Sequence, residues 1–231
     1  MLSAYTTQIE GDYATFDAEE SRHVLQVLRR RRGDEITWTD GRGNRYRGTI
    51  DEVQKKSFVA KITERETIPP PREYTVHLAV APTKNISRYE WFLEKATEIG
   101  IDRITPILCD HSERTRIRTD RLHKILLSAM KQSLRSTLPA LDELTRFSDF
   151  MSNLPDVPQK LIAHCAAGEK FALRQFDGSA GDVLLLIGPE GDFSTEEIER
   201  AVDIGFQSVT LGEARLRTET AAVTAVVLLN A

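Results

Sequence analysis

Leu184-Leu185-Leu186-Ile187-Gly188-Pro189-Glu190-Gly191-Asp192-Phe193-Ser194 is a hydrophobic run that stops at a glycine-proline turn and re-enters a helix. Val183 to Ile187 reads as a buried strand, and Ser194 with Glu197 has the spacing of a capping box. The two glycines permit positive φ and close approach of a ligand to bare backbone. An ordinary βα turn has the same pattern. Neither G-x-x-x-x-G-K-[ST] nor G-x-G-x-x-G is present, so this is no Walker loop and no dinucleotide fingerprint. A second glycine turn, Leu211-Gly212, ends the next strand, Ser208 to Leu211. Arg215-Leu216-Arg217-Thr218-Glu219-Thr220-Ala221 then leads into a last helix, Thr218 to Leu229, apolar nearly all round. Two such turns at one sheet edge can wall a single pocket.

Upstream the same alternation holds. Tyr74 to Val80, Ile104 to Leu108 and Lys160 to His164 read as strands. A helix opening at Ser87, boxed by Glu90, is closed by Gly100, and Asp120 to Ser133 forms another that turns Arg121, Lys124 and Lys131 outward. Strands alternating with helices predict a parallel α/β sheet, whose ligands bind at the carboxyl ends of its strands. Before Ile68-Pro69-Pro70-Pro71 the period differs. Glu35 to Thr39, a turn at Asp40-Gly41-Arg42-Gly43-Asn44, a returning strand through Tyr46 and Ile50, and Ser57 to Ile62 describe a small β unit with a short helix at Ser21 to Arg30. The domains expected are therefore residues 1–68, a proline linker at 69–73, and 74–231.

The chain has 231 residues, 40% hydrophobic and 29% charged, with no apolar run long enough to span a bilayer. Met1-Leu2-Ser3-Ala4-Tyr5 lacks the pattern of a secretory signal, and only Cys109 and Cys165 occur, which points to the cytoplasm. Five scattered histidines show no zinc-ligand spacing, and no metal is assigned. The net charge of −4 hides local excesses of positive charge: five between Arg22 and Arg47, and six between Arg114 and Arg135. Either run alone reads as a solvated face. Two on an acidic chain suggest phosphate binding, because acids beyond a Debye length of about 8–10 Å weaken a local field little. Arg29, Arg30, Arg32, Arg114 and Arg116 are the candidate nucleic-acid phosphate contacts.

Gly188-Pro189-Glu190-Gly191, Leu211-Gly212 and Leu216-Arg217-Thr218-Glu219-Thr220-Ala221 resemble the signature of the bacterial 16S ribosomal RNA (uracil-N3)-methyltransferases, of the SPOUT class. The likeness extends to His23–Arg29 with Gly33-Asp34, to Lys84 and Lys95–Gly100, and to Gln132-Ser133 with Arg135 and Pro139. Two departures stand out: Asp192 replaces a common second glycine, and Lys131 replaces a frequent acid. The resemblance implies a SPOUT-type parallel sheet with a C-terminal trefoil knot, preceded by a PUA-like β-barrel domain. It also implies S-adenosylmethionine held near Ala163 and His164, at Ile187, Gly188, Pro189, Glu190 and Gly191, and at Leu211, Gly212, Leu216 and Thr218. The substrate implied is uridine 1498 of 16S ribosomal RNA in the assembled small subunit, methylated at N3 by a homodimer. A SPOUT enzyme for another base or a ribose 2′-hydroxyl is the alternative.

Methylating uracil N3 requires loss of its proton and stabilisation of charge on O2 and O4, a task that suits an arginine fork. Arg217 is the candidate; its competing role is an ion pair with Glu219 or Glu190 that braces the turn. Glu219 falls in the first helical turn, where the dipole favours the carboxylate, so it is assigned as a cap rather than a base. His164 reads equally as a packed or a catalytic histidine, and Cys165 as a small core residue.

Overall fold

A computed structural model describes residues 4–231, which divide into two compact units: residues up to 71 together with 127–138, and residues 72–126 with 139–231.

The first unit holds β1 (Ala4–Tyr5), β2 (Ile9–Glu10), β3 (Tyr13–Phe16), α1 (Ala18–Ser21), β4 (Glu35–Thr39), β5 (Asn44–Val53) and β6 (Phe58–Thr67). They form one sheet in the order β1-β4-β5-β6-β3-β2. The expected hairpin pairs Trp38 with Tyr46. Its buried face is aromatic: Phe16 stacks on Phe58 at 4.3 Å and meets Trp38 edge-on at 5.5 Å. The short helix starts earlier than its apolar residues indicate, because the Asp17 carboxylate caps Glu19 and Glu20. It continues as a π-helical turn, Arg22–Val27, and the left-handed Arg29 (φ 57°) follows it.

The second unit contains β7 (Val76–Val80), α2 (Ile86–Ile99), β8 (Arg103–Leu108), the start of α3 (Thr119–Gln132) as far as Leu126, β9 (Ala140–Leu141), β10 (Thr145–Arg146), α4 (Phe147–Ser152), β11 (Gln159–Ala163), β12 (Phe171–Ala172), β13 (Val183–Ile187), α5 (Thr195–Asp203), β14 (Gln207–Thr210) and α6 (Thr218–Leu228). Its strands are all parallel, in the order β10-β8-β7-β13-β11-β14-β12 with β9 beside β8. β13, buried at every residue, reads as the uninterrupted apolar run that its central place requires.

Three local expectations are corrected. Helix α2 is capped by Asn85, whose side chain accepts from the Ser87 amide, and not by a Ser87–Glu90 box; Glu90 pairs with Arg121 instead. The last turns of α3, from Leu127, belong to the first unit. Lys131 points inward there, its ammonium 2.6 Å from the buried Glu20 carboxylate. The box of Ser194 and Glu197 forms as expected.

Candidate active site

The strand register creates the site. Ala163 at the end of β11 lies opposite Ile187, the end of β13, on one side and Val209, one residue short of the end of β14, on the other, so three neighbouring strands end within one residue of each other. The segments beginning at His164, Gly188 and Leu211 therefore emerge together, as expected for ligand sites in parallel sheets. With the lead-in to α6 they enclose a cavity of about 710 Å³, within the range of small-molecule sites.

Of the residues expected to hold a cofactor, Ala163, His164, Ile187, Gly188, Pro189 and Glu190 line this cavity, as do Leu211, Gly212, Leu216 and Thr218. Gly191 does not. An added Cβ there would stand 2.9 Å from His111 Cβ, so this glycine is required by packing. Neither Gly188 nor Gly191 has a positive φ; Gly212 does, at 138°. Lys170, Asp192 and Arg215 also face the cavity. Asp192 stands in the sequence only as a departure from the glycine-turn signature, and Lys170 carries no sequence signal, because loop folding alone brings it there.

The turn is held from several sides. Glu190 Oε1 accepts from the Lys84 amide at 2.9 Å, and Thr218 Oγ1 donates to the Gly188 carbonyl at 3.2 Å. His164 Nε2 lies 2.9 Å from Ser208 Oγ, while its Nδ1 is buried without a partner. Burial, and then the Lys170 charge, lower its pKa, which favours the neutral ring.

Arg217 precedes α6 with an exposed side chain in the cavity wall. Neither bracing pair considered for it forms: Glu190 is engaged by Lys84, and Glu219 Oε1 faces Arg88 Nε at 3.7 Å. Glu219 makes no capping bond, and its Oε2 is buried without a partner. Cys165 is exposed, not a core residue. Among the candidate RNA contacts, Arg29, Arg30, Arg32 and Arg116 are exposed, with Arg32 Nη2 3.7 Å from Asp51. The Arg114 fork holds the carbonyls of Thr83 (3.0 Å) and Lys84 (2.6 Å). Among the described residues, no cluster of three or more His, Cys, Asp or Glu is placed to hold a metal, and no helix is long and apolar enough to cross a membrane.

The family model of an RNA methyltransferase domain matches residues 70–230, and that of an RNA methyltransferase PUA domain matches 16–63. The chain belongs to this RNA methyltransferase family. It is 31% identical, over 75% of either chain, to the ribosomal RNA small subunit methyltransferase E of Mesomycoplasma hyopneumoniae. A crystal structure described as a "probable rRNA-methyltransferase" from Porphyromonas gingivalis superposes with a TM-score of 0.88 at 39% identity, covering 96% of this chain and 94% of that one. The ribosomal RNA small subunit methyltransferase E of Neisseria gonorrhoeae, bound to S-adenosyl methionine, gives 0.82 at 28%, covering 96% and 93%. The protein is thus an RNA methyltransferase with an amino-terminal PUA domain.

Proposed function

We propose that the chain methylates N3 of uridine 1498 in 16S ribosomal RNA, using S-adenosylmethionine bound in the cavity between the ends of β11, β13 and β14. The observation that carries this reading is the alignment of Ala163, Ile187 and Val209 across neighbouring strands, which gathers three backbone turns around one space.

The cavity suits the donor chemically. Ala163, Ile187, Leu211 and Leu216 offer apolar wall for an adenosine, the turns offer backbone, and the buried, unpartnered His164 Nδ1 offers a polar contact. Bound there, S-adenosylmethionine supplies an electrophilic methyl group. Arg217 lines the cavity unbraced by Glu190 or Glu219; in this reading it receives the uracil O2 and O4 and stabilises the charge left by loss of the N3 proton.

Residues 1–68 form the RNA-gripping domain, 69–73 the linker and 74–231, apart from the 127–138 segment that packs in the first unit, the methyltransferase domain, with a carboxyl-terminal trefoil knot of the SPOUT class. A homodimer through α2 and α6 is favoured by Trp91 and Val227, which are 45% and 48% exposed on these helices. The protein works in the cytoplasm on the assembled small subunit.

Incubating unmodified small subunits with labelled S-adenosylmethionine, then digesting the RNA and weighing the modified nucleoside, tests the reading. N3-methyluridine at position 1498 is expected; a 2′-O-methylated nucleoside, or label elsewhere, overturns it.

A further inference from the structure

Among the described residues three that are not glycine adopt a left-handed backbone: Arg29, Leu134 and Asp192. Of these, Asp192 (φ 66°) alone lines the cavity. A side chain is disfavoured at such a φ and glycine is not. What aspartate provides there is a pair of hydrogen bonds that glycine cannot make. Oδ1 accepts from the adjacent Phe193 amide at 2.9 Å, and Oδ2 accepts from the Cys165 amide at 2.7 Å. The first bond is local. The second joins the turn after β13 to the segment after β11, two walls of the same cavity. On the other side of the turn, His111 Nδ1 lies 3.1 Å from both the Gly191 and the Asp192 carbonyl oxygens. The segment's other bonds are the His164 ring on Ser208 and the Lys170 ammonium, which folds back on the His164 carbonyl at 2.7 Å. Neither ties the segment to the 188–192 turn.

We propose that Asp192 is a positioning residue for the methyl donor: its carboxylate clamps the Cys165 amide and fixes the opening between residues 164–170 and 188–192. A fixed opening spares the ligand the cost of ordering its own site. The inference rests on the cavity being the S-adenosylmethionine site.

Calorimetric titration of the full chain with S-adenosylmethionine, paired with thermal unfolding without ligand, tests it. Asp192→Gly relieves the backbone and removes the clamp, so affinity should fall about tenfold while the melting temperature stays level or rises. Asp192→Asn, which tolerates the same backbone and keeps one oxygen acceptor, should bind between the two. A scaffold role predicts that stability and affinity fall together. Asp192→Gly binding as tightly as the parent, or melting lower in step with its loss of affinity, overturns the proposal. Binding by the parent that Gly212→Val leaves intact would instead overturn the location of the site, and this inference with it.

Discussion

The ammonium of Lys131, near the end of α3, lies 2.6 Å from Oε1 of Glu20, whose side chain is only 6% exposed; its other oxygen, Oε2, accepts from the Tyr5 amide at 3.2 Å. A carboxylate so placed needs its cation. Lys131→Ala should therefore destabilise the protein by about 3 kcal/mol, near the lower end for stranding a buried charge because the lysine keeps some solvent access. Replacing both partners, Glu20→Gln with Lys131→Met, should recover most of that loss. Urea unfolding of the single and double variants measures both quantities.

His77, within β7, is buried and has its Nε2 2.7 Å from Thr105 Oγ1. Burial, helped by the nearby Arg103 charge, pushes its pKa down to about 4. The unfolded chain takes up the proton near pH 6.5 and the folded chain only near 4, so stability is full above about 6.5 and falls as the pH drops between the two. The loss approaches about 3 kcal/mol. In His77→Gln the unfolding free energy should decline less over this window; an unchanged slope would assign it to other groups.

Arg217→Ala should lower turnover by roughly 10² to 10³, the effect of losing one preorganised donor to a developing oxyanion. Its affinity for S-adenosylmethionine, measured by titration, should stay within about twofold, since the cavity's backbone turns are untouched. Equal turnover would return Arg217 to the role of an exposed loop residue.

Saturating S-adenosylmethionine, at 100 times its dissociation constant, should stabilise the fold by ~2.7 kcal/mol. Gly212 is the residue at which to remove this gain. An added Cβ there meets no neighbour, so the cost of a side chain is the local backbone strain of its φ of 138°, whereas one at Gly188 would meet the Phe193 amide at 3.1 Å. Gly212→Val should abolish the thermal shift and leave a folded chain, as judged by circular dichroism.

Arg29 and Arg30 are exposed, while Arg47 pairs with Glu64 and Arg45 donates to the Leu134 carbonyl. Arg29→Ala with Arg30→Ala should weaken RNA binding and reduce the slope of log affinity against log salt by ~0.7 to 0.9 for each phosphate that is no longer neutralised. Affinity for S-adenosylmethionine should not change. These substitutions test the grip more cleanly than deleting the first seventy or so residues, because deletion would strip the partners of residues 127–138, which belong to the same unit.

The elements of this fold are written in local patterns. A short apolar run such as Val183–Ile187 stopped by a Gly-Pro turn reads as a doubly covered strand, Ser194 and Glu197 satisfy each other's backbone amides across a single turn, and Gly100 (φ 122°) ends α2 where a side chain would be strained. These signals need no distant residue, and the glycine turns that wall the cavity were legible for the same reason. Short pieces without a period of their own, such as β9, β10, β12 and α4, were not, because they take their form from the sheet edge they join. The same holds within the site. Spacing fixed that Gly188 and Gly212 follow strands; only the sheet register sets Ala163, Ile187 and Val209 level, and only the folding of the loop after β11 brings Lys170 to the cavity. Whether a charge is free or engaged was likewise decided in three dimensions. Lys131 turned inward to Glu20, Arg114 took up two backbone carbonyls, and Arg217 kept its guanidinium clear, each because of a partner remote in sequence.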